Sequence, residues 1–98
     1  MTLPLVLLPE AEGDIRETRR WYECQRPGLG WEFLGCVEAL LARIERNPEF
    51  YALADGASRR GRIRRFPYAV YYEIESDQIV IQAVWHLRRA PGSWREQR

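Results

Sequence analysis

Seven arginines fall in two short stretches of the second half of the chain. They are Arg59, Arg60, Arg62, Arg64 and Arg65, then Arg88 and Arg89, with Phe66, Tyr68, Tyr71, Trp85 and Trp94 interleaved. Guanidinium groups make planar, bidentate contacts to carboxylates and phosphates and stack on aromatic faces. Such a set can grip a phosphate, a nucleobase or an acidic protein segment. The same arginines would equally keep a solvated sheet edge from pairing with other chains. His86, the single histidine, adjoins the cluster. A general base needs a positioned partner, and no carboxylate lies near it in sequence, so a structural role at a strand end is expected. One histidine also leaves no credible metal shell, and no cofactor is expected.

The remaining polar groups give weaker signals. Glu10 with Asp14, and Glu45 with Glu49, sit one helical turn apart beside arginines and read as solvated faces. GxSxG, a glycine-rich phosphate loop, HExxH and CxxC are all missing, which removes the usual signals of small-molecule enzymes. Cys24 and Cys36 make neither a disulfide framework nor a zinc pattern and read as thiols packed between helices.

These residues need elements to position them. A chain of 98 residues builds one core. Leu3 to Leu8 is a short apolar run bounded by Pro9 and reads as a strand, with Pro4 removing one ladder donor. Ala11, Ile15, Thr18 and Tyr22 recur every three to four residues, behind Glu10, Glu12 and Asp14, which predicts a helix over 10–25. Arg26-Pro27-Gly28-Leu29-Gly30 breaks it. From Trp31 the period resumes through Phe33, Leu34, Val37, Leu40, Leu41 and Ile44 and stops at Asn47-Pro48. A loop over 49–58 then leads to three expected strands, 61–66, 68–75 and 78–86, the last apolar on both faces. The expected fold is α+β. An N-terminal strand, a helical hairpin and a three-stranded antiparallel meander put the helices on one face of a four-stranded, mainly antiparallel sheet. Residues 87–98 read as a basic tail with Trp94 as an anchor.

Charge is uneven along the chain. All fifteen cationic residues are arginine; residues 1–57 carry net −4 and residues 58–98 net +5. The second half therefore carries the field that draws an acidic partner. The apolar N-terminal stretch has no basic segment or small-residue cleavage site and falls short of the roughly 20 apolar residues of a membrane span. A cytoplasmic protein without membrane contact is expected.

Several segments together resemble a known family. They are Trp21-Tyr22-Glu23 with Gln25, Pro27-Gly28-Leu29-Gly30 with Phe33-Leu34, Ile44 with Asn47-Pro48, Arg64-Arg65-Phe66-Pro67-Tyr68-Ala69-Val70-Tyr71-Tyr72, and His86-Leu87-Arg88-Arg89-Ala90-Pro91 with Trp94. In this order they are similar to the RelE/ParE superfamily of bacterial toxins, nearest its ParE-like, plasmid-stabilisation branch, and they span nearly all of residues 1–98 as a single domain. The resemblance implies an operon-encoded antitoxin and a toxin–antitoxin hetero-oligomer. It also implies one of two targets: DNA gyrase for ParE-like members, or the ribosome and its messenger RNA for RelE-like members. RelE-like nucleases look to need a concentrated basic set, including an arginine where this chain has Ala69 and preceding lysines that are absent, and often use a tyrosine near the C-terminus where this chain has Trp94. Gyrase is therefore the expected target and no catalytic residue is expected. An interferase would rely on Arg64, Arg65, His86, Arg88 and Arg89. In the binding reading Arg62, Arg64, Arg65, Arg88, Arg89 and Trp94 meet the target or antitoxin, while Tyr71, Trp85 and His86 support them.

Overall fold

The computed structural model describes residues 2–98. β1 (Leu5–Leu7) leads into α1 (Pro9–Gln25) and α2 (Leu29–Arg46), followed by β2 (Leu53–Asp55), β3 (Ser58–Arg62), β4 (Tyr68–Ile74) and β5 (Ile79–His86). Short 3-10 turns lie at Pro48–Phe50 and Ser93–Gln97. Pro9 takes the first helical position of α1, where an N–H would have no partner anyway, and Glu10 and Glu12 complement the helix dipole. The helix ends at Arg26, whose extended backbone is what a following proline demands.

The turn between the helices is built around Glu23. Its carboxylate accepts the N–H of Gly28 at 2.8 Å and of Gly30 at 2.9 Å, giving two otherwise unpaired donors at the start of α2 their acceptors. Gly28 has φ 90°, and a Cβ on Gly30 would lie 2.5 Å from the Arg19 carbonyl, so both positions require glycine. Glu23→Ala is expected to lower stability by about 1–2 kcal/mol. Urea unfolding should show a lower midpoint at unchanged slope; an unmoved midpoint would show that the carboxylate does not hold the turn.

The sheet has five strands in the order β1-β5-β4-β3-β2, with β1 parallel to β5 and every other pair antiparallel. The extra strand, β2, lies inside the expected loop; three residues with Leu53 exposed give no alternation to read. β3 sits earlier than the expected 61–66. Only Ser58 and Gly61 of Ser-Arg-Arg-Gly-Arg are buried, so the strand has no apolar pattern. Ile63 and Phe66, which suggested a strand, belong to the turn that follows, where Arg65 adopts φ 74°.

Both sheet faces are covered, by different means. Phe33, Val37, Leu40 and Ile44 of α2 pack with Ala11 and Ile15 of α1 on Val70, Tyr72, Ile79, Ile81 and Val84. The opposite face carries Ala69, Tyr71, Ala83 and Trp85, and Trp94 from the second 3-10 turn lies over it, 5% exposed. Cys36 packs partly against the first core, whereas Cys24 is exposed on α1, so only one of the two thiols sits as expected.

Tyr72 is wholly buried and donates to the Pro48 carbonyl, and burial pushes its phenol up to about 12. Between pH 10 and 12 the unfolded chain releases this proton while the folded chain keeps it, so stability falls as pH rises through that window. The expected loss is on the order of 2 kcal/mol. In urea unfolding at pH 9 and pH 11, Tyr72→Phe should be the less stable protein at pH 9 yet lose clearly less on going to pH 11. Equal losses in both proteins would contradict the assignment.

Candidate target-binding groove

The end of β5 is open on one side. β1 pairs with β5 only from Ile79 to Ile81, and Leu8 N–H adds one more bond to the Ile81 carbonyl. Beyond that point α1 lies along β5. Gln82 is an extra residue in β5, because Tyr71 faces Ala83 while Tyr72 faces Ile81. The Val84 N–H leaves the ladder and donates at 3.0 Å to Asp14 of α1. Asp14 also receives the Arg98 guanidinium. Burial raises the Asp14 carboxyl above its ordinary range, against the opposing pull of Arg98 and the Val84 N–H.

Between α1 and this edge lies a groove of about 400 Å³, walled by Asp14, Glu17, Thr18 and Trp21 on one side and by Val84, His86, Arg88 and Arg89 on the other. Tyr68 forms part of its floor, opposite His86 in the β4–β5 register, with the two rings edge to face at 5.0 Å. A second hollow, lined by Tyr22 and Pro67, shares Trp21, Tyr68 and His86 with the first, so the two form one elongated channel. Trp21 is 57% exposed. His86 Nδ1 accepts the Arg88 N–H at 3.0 Å, so the neutral ring carries its proton on Nε2. Arg89 stacks over Trp85 at 4.3 Å.

The other expected site residues lie elsewhere. Arg62 ends β3 and Arg64 stands in the β3–β4 turn, both exposed and outside the groove. Arg65 is drawn to the helical hairpin, where it and Arg26 bind Glu32 at 2.8 and 3.1 Å; these hydrogen bonds hold the Glu32 carboxyl below its usual range. Tyr71 and Trp94 are buried together on the far face, their rings 5.9 Å apart. Trp94 is thus a core anchor, which removes it from any contact surface, and Tyr71 supports it. Asp14, Glu17 and Trp21 were legible only as helix positions. Their spacing of three and four residues along one side of α1 is the sequence signal that they share a wall. Asp14 in particular is half-buried and bonded, unlike the solvated carboxylate expected from its neighbour Glu10.

The family model for the ParE toxin of type II toxin-antitoxin systems, parDE, matches residues 5–91. The chain belongs to this family. The matched span contains the groove, the helical hairpin and all five strands, so the toxin's Arg88 and Arg89 lie within the family domain and Trp94 beyond the matched segment. Among solved structures, the chromosomal ParDE system from P. aeruginosa superposes with a TM-score of 0.80 at 12% identity, over 89% of this chain and 98% of that one. The shared fold is therefore held by pattern and topology with few common residues. No curated protein matches the sequence significantly. The toxin is one half of a toxin–antitoxin pair, and among its described residues no helix is long and apolar enough to cross a membrane.

Proposed function

We propose that this toxin acts in the cytoplasm by binding DNA gyrase through the α1–β5 groove, and that a cognate antitoxin silences it in a hetero-oligomer. Family membership supports the pairing with an antitoxin. The observation that carries the target assignment is the groove's composition: Arg88 and Arg89 are exposed and make no ion pair among the described residues, beside an exposed Trp21. Arginine and tryptophan are the side chains that most often carry the energy of a protein contact.

The groove is poorly equipped for cutting RNA. Cleavage without metal needs a proton acceptor and a concentrated positive field at the scissile phosphate. Among the described residues no carboxylate is hydrogen-bonded to His86, Arg65 is paired away at Glu32, and Ala69 is buried where the nuclease resemblance would want an arginine. The test is controlled expression of the toxin, followed by assays of gyrase supercoiling and of ribosome-dependent messenger RNA cleavage. Loss of supercoiling with intact transcripts is the expected result. Cut transcripts with normal supercoiling would overturn the proposal and move Arg64, Arg65, His86, Arg88 and Arg89 into catalytic roles.

A further inference from the structure

The open edge of β5 offers two consecutive outward N–H groups, and the chain fills only one of them. Tyr68 C=O accepts from Ile63 on the β3 side, so at the Tyr68–His86 pair the His86 N–H points away from β4, as Val84 N–H does two residues earlier. Val84 N–H has the Asp14 carboxylate, which is clamped in turn by Arg98. His86 N–H has no acceptor among the described residues, and Arg88 and Arg89 stand beside it on the same groove wall. The second position repeats the chemistry of the first with the carboxylate missing.

We propose that a carboxylate from an acidic side chain of the target protein fills this position. It receives the His86 N–H and the Arg88 or Arg89 guanidinium as Asp14 receives Val84 N–H and Arg98. The inference rests on the reading of the groove as the target contact and specifies what the target must present. An elongated channel with Trp21 and Tyr68 on its walls suits an extended peptide whose apolar neighbours flank one acid. A nucleic acid strand fits less well. It carries a phosphate at every nucleotide, and Asp14 and Glu17 on the α1 wall would repel all but one or two of them.

The probe is an acetylated, amidated pentapeptide with a single central glutamate flanked by valines, titrated into the purified toxin while backbone amides are followed by NMR. Its glutamine counterpart and a short oligothymidylate are run in parallel. The acidic peptide should shift the His86 amide and bind at least about tenfold more tightly than the neutral one, as expected for a charge-assisted pair. Arg88→Ala/Arg89→Ala should remove that preference, and Glu17→Gln should strengthen acidic-peptide binding, which guards against a variant that merely folds badly. Equal binding of the two peptides, no binding of the acidic one, shifts away from β5, or tighter binding of oligothymidylate would each overturn the proposal. A toxin that binds the acidic peptide as predicted but leaves gyrase untouched would refute the choice of target and not the carboxylate site.

Discussion

Trp94→Ala is expected to cost about 3–5 kcal/mol, the range for removing a large buried aromatic. Trp94 is what covers Ala69, Tyr71, Ala83 and Trp85, and its turn is tied down by Trp85 Nε1–H donating to Ser93 Oγ at 2.9 Å. Arg95 adds bonds to Asp55 and Ser58, and Arg98 to Asp14 and the Gln82 carbonyl. Losing the indole leaves one sheet face open to water and unseats these arginines together. The conservative Trp94→Phe should cost less than about 1.5 kcal/mol. The indole Nε1–H has no partner among the described residues, so phenylalanine forfeits ring area but also removes a buried donor left unpaired. Urea unfolding of both variants checks this; equal losses would mean that area over this face does not set the cost.

Arg88→Ala/Arg89→Ala is expected to abolish growth inhibition while leaving the protein folded. Both side chains are exposed, and the packing lost includes the stack of Arg89 on Trp85, worth about 0.5–2 kcal/mol. On the target side each arginine gives up a charge-assisted contact of about 1.5 kcal/mol. Together that is about 3 kcal/mol, roughly a hundredfold in affinity. Colony counts after induction should rise towards those of cells without toxin, with circular dichroism and unfolding midpoint near wild type. Arg62→Ala/Arg64→Ala, which changes arginines outside the groove, should leave growth inhibition within about threefold of wild type, as expected of rim charges. If that variant, and not the Arg88/Arg89 one, rescued growth, the contact would lie at the β3–β4 turn.

Legibility in the sequence followed the strength of the periodic signal. α2 was plain because Phe33, Val37, Leu40 and Ile44 repeat at helical spacing and all are buried. β4 was plain from its alternation at period two, and β5 from an apolar run on both faces, as a strand covered on both sides requires. β3 was misplaced because its inward residues are Ser58 and Gly61, buried by a hydrogen bond to Gln82 and by close approach to Leu40, and neither residue carries a hydrophobic signature. β2 is too short to show a pattern at all. In the site, clustering along the sequence misled. Arg62, Arg64 and Arg65 neighbour one another in the chain, yet none of them lines the groove with Arg88 and Arg89, and Arg65 is held at Glu32. Asp14 and Trp21 join the groove from 70 and 65 residues away in the chain, at the Val84 N–H and beside His86 respectively. Such a meeting depends on how α1 crosses the end of β1, which no local pattern encodes.

Supercoiling of relaxed plasmid by purified gyrase, titrated with the purified toxin, tests the target assignment most directly. Wild-type toxin should stop the reaction, the Arg88→Ala/Arg89→Ala protein should need about a hundredfold more, and equimolar antitoxin should restore activity. Undisturbed supercoiling at saturating wild-type toxin, or equal potency of the double variant, would contradict the account.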